Sequence, residues 1–174
     1  VERALDITQG GARYNFTQVQ GIGLAHVVDS LLNLRRIVYE ARKLSLRQLL
    51  AKLDANFAGD EPLRRRVESL RPAYGDGSPE TQELVRHVAH GFFDAVERFS
   101  NPRGGPHRAG LLVWTLYHDW ADVVGSLPDG RRRGAALVSR NRFRKWAYSL
   151  YRFPTSSMKS VRAQITVKVA GPPI

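Results

Sequence analysis

The sequence contains no cysteine in its 174 residues. This absence excludes disulfide bonds, thiolate metal sites and thiol nucleophiles from the chain. The sequence also lacks an apolar run of the roughly 18 residues that a membrane-spanning helix requires. Val1 to Asp6 show neither the basic region nor the apolar stretch of a signal peptide, and no initiator Met is present. We therefore expect an internal fragment of a cytoplasmic protein without membrane contact.

Acidic residues are missing from the last quarter of the chain. The net charge is +11, and 11 of the 27 Lys and Arg residues lie within 131–174, where there is no Asp or Glu. Residues 1–130 hold 16 basic and 16 acidic residues and are neutral overall. Two compositions therefore meet near Gly130, and they need separate explanations.

Most of the sequence has the apolar spacing of amphipathic helices. At 43% hydrophobic residues, the chain has enough apolar material for a core. The apolar spacing and the start signals predict four helices, which are Leu24 to Val38, Leu46 to Phe57 behind a Ser45–Gln48 capping box, Asp60 to Leu70, and Pro79 to Phe99. Ala12 to Thr17 is typical of a short strand, and Leu111 to Tyr117 of a strand buried on both faces. The sequence thus predicts an α/β fold of about four helices and two or three short strands, too few strands to close a barrel.

Four short polar and glycine motifs recur between these segments. They are Gly10-Gly11-Ala12-Arg13-Tyr14-Asn15-Phe16-Thr17, Gln20-Gly21-Ile22-Gly23, Asn101-Pro102-Arg103-Gly104-Gly105 and Leu127-Pro128-Asp129-Gly130-Arg131. Their order and spacing resemble the later part of the catalytic barrel of glycyl radical enzymes, the pyruvate formate-lyase family. The resemblance covers residues 1–137 and becomes patchy in 138–174. It implies a helix-rich piece of a β/α barrel.

The resemblance also implies a radical mechanism that this chain cannot carry alone. In the family, a glycyl radical installed by an iron–sulfur S-adenosylmethionine activase passes to a cysteine, and the thiyl radical attacks the substrate. The chain has no such cysteine. Gly171 is followed by Pro172 and comes too soon after the Pro128-Asp129-Gly130 turn to match the radical glycine. The implied partners are the remainder of the parent barrel, the activase and a second subunit of a homodimer. The first and last motifs resemble the dehydratase and C–X lyase branch more than strict pyruvate formate-lyase, also called formate C-acetyltransferase.

The candidate site residues follow from the same motifs. Arg13, Tyr14 and Asn15 either shape the substrate cavity or pair backbone groups at a strand end. Leu112, Trp114 and Tyr117 lie on the predicted strand that faces the cavity in the family. Leu112 stands at the position of a Tyr that contacts substrate in some dehydratase members, a contact that leucine does not reproduce. Trp114 and Tyr117 are either core residues, which we favour, or substrate contacts. His87, His90 and Asp94 share one side of a helix, but no further ligand occurs at a defined spacing. We therefore expect no catalytic residue, no bound cofactor and no metal site in this chain.

The basic end admits two interpretations. Its interleaved cations and aromatics are also typical of a small nucleic-acid-binding protein, with Arg131, Arg140, Arg142, Arg144 and Lys145 as the phosphate contacts. Against this, an abrupt loss of acidic residues followed by a partial return of family pattern at Pro154 to Val161 is what a reading-frame error produces. We favour the frame error, and we do not expect nucleic acid as a partner.

Overall fold

The computed structural model describes residues 4–70, 74–111, 116–137 and 150–151. The chain divides into two compact units. The described part of the first comprises residues 4–21, 86–111 and 150–151, and that of the second comprises residues 22–70, 74–85 and 116–137.

The first unit contains a three-stranded sheet in the order β1-β2-β3. Strand β1 is Thr17–Gly21 and pairs in parallel with β2, His107–Leu111, with Thr17 opposite His107. Strand β3, Leu150–Tyr151, is antiparallel to the end of β2. Parallel neighbours need a long crossover, and here residues 22–106 provide it. The sheet is open at β1 and β3 in the part of the chain that the structure describes.

Helices form the second unit. They are α1 (Leu24–Leu34), which continues as a π-helix (Arg35–Glu40), α2 (Leu46–Asp54), α3 (Glu61–Glu68) and the beginning of α4 (Pro79–Val96), followed by the short α5 (Leu116–Asp119). Two apolar clusters stabilise this unit. One groups Val28, Leu32 and Val85, and the other groups Ile37, Phe57 and Val67. Burial of these side chains is the main driving force for the packing.

The starts of α1 to α4 agree with the sequence. Ser45 and Gln48 form the predicted capping box, in which the Ser45 Oγ accepts from the Gln48 amide and the Gln48 Oε1 accepts from the Ser45 amide. The end of α2 differs from the prediction. The helix stops at Asp54, and Asn56 and Phe57 take left-handed conformations that carry Phe57 into the apolar cluster. A buried aromatic ring offsets the cost of this conformation.

Further predicted boundaries are wrong. The first strand, expected at Ala12 to Thr17, begins only at Thr17 and runs to Gly21, because its pairing with β2 starts there. The strand expected at Leu111 to Tyr117 starts earlier, with His107–Leu111 paired, and Leu116–Asp119 is helical, while residues 112–115 of the prediction lie outside the described residues. Pairing with β1 sets this register, so an apolar run alone did not identify the paired residues. Helix α4 ends at Val96, and Phe99 is largely exposed because it precedes the loop that leads back into β2. None of the described helices combines the length and the apolar character needed to cross a membrane.

Candidate functional site

The loop before β1 is fastened to the loop before β2 by Asn15 and Arg103. The side-chain amide of Asn15 donates to the Arg103 carbonyl oxygen over 2.9 Å, and its Oδ1 accepts from Arg103 Nε over 3.0 Å. Arg103 also donates from Nη2 to the hydroxyl of Thr17 over 3.2 Å. Both the Nδ2 donor and the Oδ1 acceptor of the Asn15 side chain are thus hydrogen-bonded to Arg103. Of the two interpretations for this residue, the geometry favours the pairing of backbone and neighbouring groups at a strand end.

Asn101 organises the turn that contains Arg103. Its side chain is buried, and its Oδ1 accepts from the amides of Arg103 and Gly105 at 3.0 and 2.9 Å. Its Nδ2 donates to the hydroxyl of Thr17 over 3.2 Å. The backbone N–H of Asn101 closes the loop by donating to the Gly105 carbonyl oxygen. One asparagine therefore satisfies two turn amides and joins the turn to β1, as an Asx side chain does when it replaces a backbone acceptor.

Replacing Asn101 is expected to separate these two roles. Asn101→Ala should lower the free energy of unfolding by about 2–3 kcal/mol, because it leaves the buried Gly105 amide and the partly buried Arg103 amide without their acceptor. Asn101→Asp keeps both acceptor bonds and loses only the donors, so we expect a smaller loss. Urea unfolding followed by circular dichroism measures both. Equal losses in the two variants would contradict the acceptor role.

Arg13 and Tyr14 are two neighbouring exposed residues of the first motif, in which Phe16 is exposed as well. Tyr14 retains 70% of its accessible surface, and the Arg13 guanidinium lies 5.8 Å from the centre of the Tyr14 ring. An arginine over a tyrosine face is a cation–π contact. These two side chains are therefore presented as a pair at the surface of the first unit.

The other predicted cavity residues are only partly covered by the structure. Leu112 and Trp114 lie outside the described residues. Tyr117 belongs to α5 rather than to the predicted strand. The structure thus brings Asn15 together with Arg103, and it leaves the grouping of Leu112, Trp114 and Tyr117 as a prediction.

The last motif forms a turn that holds a buried arginine. Leu127 and Gly130 close the turn by backbone hydrogen bonds, and the Asp129 carboxylate accepts from the Arg131 amide over 2.9 Å. Only 3% of Arg131 is exposed. Its guanidinium donates to three carbonyl oxygens, those of Ala121, Val124 and Gly125, at 2.6, 3.1 and 2.8 Å. Burial lowers the pKa of this guanidinium, while Asp129 and Asp122 act in the opposite direction.

The burial of Arg131 bears on the nucleic-acid alternative. Its donors are directed at backbone oxygens, whereas a phosphate contact needs an accessible cation. Arg140, Arg142, Arg144 and Lys145 lie outside the described residues. Nothing in the described residues or in the similarities to known proteins supports nucleic-acid binding.

Helix α1 presents buried polar residues to this turn, which the sequence did not predict. His26 Nδ1 contacts the Asp129 carboxylate, and both side chains are more than nine-tenths buried. Two turns along the helix, the Asn33 amide donates to the carbonyl oxygens of Val67 and Pro128 at 2.8 and 3.0 Å. Gly130, with φ near +91°, lies against α3, where a Cβ would stand 3.1 Å from the Arg64 oxygen. The buried polar residues His26, Ser30 and Asn33 follow one another at i, i+4 and i+7, and this polar spacing on a helix that also carries apolar residues was the available signal.

Comparison with known proteins identifies the family. The family model described as pyruvate formate lyase-like matches residues 1–119. The chain belongs to this family. Its motifs at Gly10, Gln20 and Asn101 therefore lie in a pyruvate formate lyase-like sequence, as the resemblance predicted. The fold prediction, a helix-rich part of a glycyl radical enzyme barrel, is confirmed as well.

Similarities to individual proteins support the same family assignment. The trans-4-hydroxy-L-proline dehydratase of Clostridioides difficile is 30% identical over 131 residues, which cover 75% of this chain and 17% of the relative. A solved structure from Roseburia inulinivorans, described for 1,2-propanediol dehydration, superposes with a TM-score of 0.73 at 32% identity and covers 79% of this chain and 18% of that one. A glycyl radical enzyme from Archaeoglobus fulgidus gives a TM-score of 0.71 at 31% identity, with 79% and 17% covered. The chain thus spans less than a fifth of the length of these relatives.

Proposed function

We propose that this chain is a scaffold segment of a glycyl radical dehydratase or related C–X lyase. The match of residues 1–119 to the family carries the proposal. The similarity to a hydroxyproline dehydratase and to a structure of 1,2-propanediol dehydration supports the dehydratase branch. A pair of parallel strands with a helical crossover is the unit from which such barrels are built.

The catalytic groups of the parent enzyme would lie elsewhere in its chain. A thiyl radical needs a cysteine, and this sequence has none. The residues present therefore do not fit the radical-transfer role, and no step of the radical reaction is assigned to them. Their proposed contribution is to position the two motif loops, by Asn15, Asn101 and Arg103 in one unit and by Arg131 in the other.

The proposed surroundings follow from the family. We propose that the parent enzyme is cytoplasmic and homodimeric, and that an iron–sulfur S-adenosylmethionine activase installs its glycyl radical. The exposed Arg13 and Tyr14 pair is proposed to face the substrate cavity, together with Leu112, Trp114 and Tyr117. Residues 138–174 are proposed to derive from a reading-frame error. Of these, only Leu150 and Tyr151 are described, as the short strand beside β2.

The isolated chain is expected to have no dehydratase, lyase or pyruvate-cleaving activity, even without oxygen and with an activase present. The physical reason is the missing thiol. Product formation from 1,2-propanediol, trans-4-hydroxy-L-proline, and pyruvate with coenzyme A is measured beside a no-enzyme control. Electron paramagnetic resonance is recorded on the same samples. Turnover above the control, coupled to a glycyl doublet, would contradict the scaffold role.

The parent enzyme tests the choice of branch. The nucleotide sequence that flanks this segment, read in all three frames, should encode a single cysteine followed closely by a glutamate base. The parent chain expressed with an activase should then dehydrate a diol or a hydroxyproline. A cysteine pair and cleavage of pyruvate would overturn the dehydratase assignment while leaving the family unchanged.

A further inference from the structure

Three titratable side chains meet where α1 holds the turn Pro128–Arg131. His26 contacts the carboxylate of Asp129, and Asp29 follows His26 by three residues, which places both on one side of the helix. The carboxylate of Asp29 also accepts from the amide of Tyr74. Two carboxylates therefore share the neighbourhood of one imidazole at a buried contact.

The charges around this cluster are unbalanced. The cluster contains one permanent cation, the guanidinium of Arg131, against the two carboxylates of Asp29 and Asp129, so complete ionisation of both leaves one carboxylate without a permanent counter-charge. Asp76 adds negative charge near Asp29, and the guanidinium of Arg131 interacts electrostatically with Asp129. Burial and the neighbouring negative charges make Asp29 the carboxyl that gains from holding a proton.

We propose that His26, Asp29 and Asp129 form a proton-dependent clamp, which holds the turn Pro128–Arg131 against α1 more tightly at acidic than at neutral pH. Ionisation of Asp29 places a second carboxylate beside Asp129 and weakens the contact that joins α1 to the turn. The bond from Asn33 to the Pro128 oxygen is uncharged and does not depend on pH. Ionisation of Asp29 therefore weakens the contact between His26 and Asp129, while the hydrogen bond from Asn33 to Pro128 is retained.

The titration of Asp29 has the direction that the clamp requires. Burial raises the pKa of Asp29 from 3.8 to about 6, with further upward contributions from Asp129 and Asp76 and opposing ones from the Tyr74 amide and His26. A raised carboxyl pKa means that the folded state keeps a proton that the unfolded state loses between these two values. The stabilisation is thus complete below pH 3.8 and is lost as the pH rises toward 6.

Amide hydrogen exchange of the full chain tests the clamp. Protection factors of the Gly130 and Arg131 amides are measured at pH 4.5 and 7.5, corrected for intrinsic exchange, with α2 amides as the internal reference. In the wild type the ratio of turn to α2 protection should fall at least fivefold between the two pH values. Asp29→Asn keeps an acceptor for Tyr74 and should remove most of the fall.

Two further variants complete the design. Asp129→Asn removes the charge from the turn side and should also flatten the dependence on pH. Asp54→Asn changes an exposed carboxylate at the end of α2 and should leave the wild-type fall intact. The proposal is overturned if the wild type shows no fall or no protected turn amides. It is equally overturned if both Asp29→Asn and Asp129→Asn retain the full dependence.

Discussion

Gly105→Ala is expected to lower the free energy of unfolding by about 3 kcal/mol, because the added methyl group overlaps a backbone atom. A Cβ at this position would coincide with the carbonyl oxygen of Asn15. Backbone cannot rotate away as a flexible side chain can, so the turn must shift. Such a shift breaks the bonds from the Arg103 and Gly105 amides to Asn101. Urea unfolding of the full chain measures the loss.

Gly125→Ala is the matched control for this substitution. A Cβ at Gly125 meets no atom within 4 Å, and the residue is not in the left-handed region. We expect a change within about 0.5 kcal/mol of zero, as for other substitutions without a steric conflict. Equal effects of the two alanines would show that the approach of Asn15 to Gly105 is not a constraint on the fold.

Arg131→Met is the second large effect, with an expected loss of about 3 kcal/mol in the free energy of unfolding. Methionine retains much of the stem volume but no donor, so the carbonyl oxygens of Val124 and Gly125 lose their hydrogen bonds from the guanidinium. The Ala121 oxygen keeps the bond from the Gly134 amide. Buried acceptors that lose a charged donor cost about 1–3 kcal/mol each, partly offset by no longer burying a cation.

Arg133→Met serves as the control, since it removes the same charge from an exposed position two residues away. We expect little change in stability for this variant. If Arg131→Met proved as harmless as Arg133→Met, the buried guanidinium would not be what holds residues 121–131 together. Circular dichroism during urea unfolding distinguishes these outcomes.

Local bonding explains which elements could be predicted from the sequence. The start of α2 was predicted correctly because the Ser45–Gln48 box is closed by residues three apart. The start of α4 at Pro79 was likewise predictable from Ser78 and Pro79. The strand at 107–111 was misplaced, because its partner lies ninety residues earlier in β1 and contains no signal for the register.

At the candidate site, too, local motifs could be read from the sequence, whereas contacts between distant residues could not. The order of the four motifs along the chain is sufficient to indicate the family, and the family model confirms it. The pairing of His26 with Asp129 joins residues 103 apart, so no local pattern indicates it. Asn15 is a candidate from its motif alone, but only the position of Arg103 shows that its side-chain amide bonds another loop.

The sequence by itself determined the family, the absence of a radical-carrying thiol and the sites where α1 to α4 begin. These properties depend on residue identity or on bonds within one helical turn. Only the tertiary structure decided that Arg131, a phosphate contact in the alternative interpretation, is buried among carbonyl oxygens. A cation is exposed or buried according to which backbone atoms surround it in space, and packing brings those atoms together from separate turns.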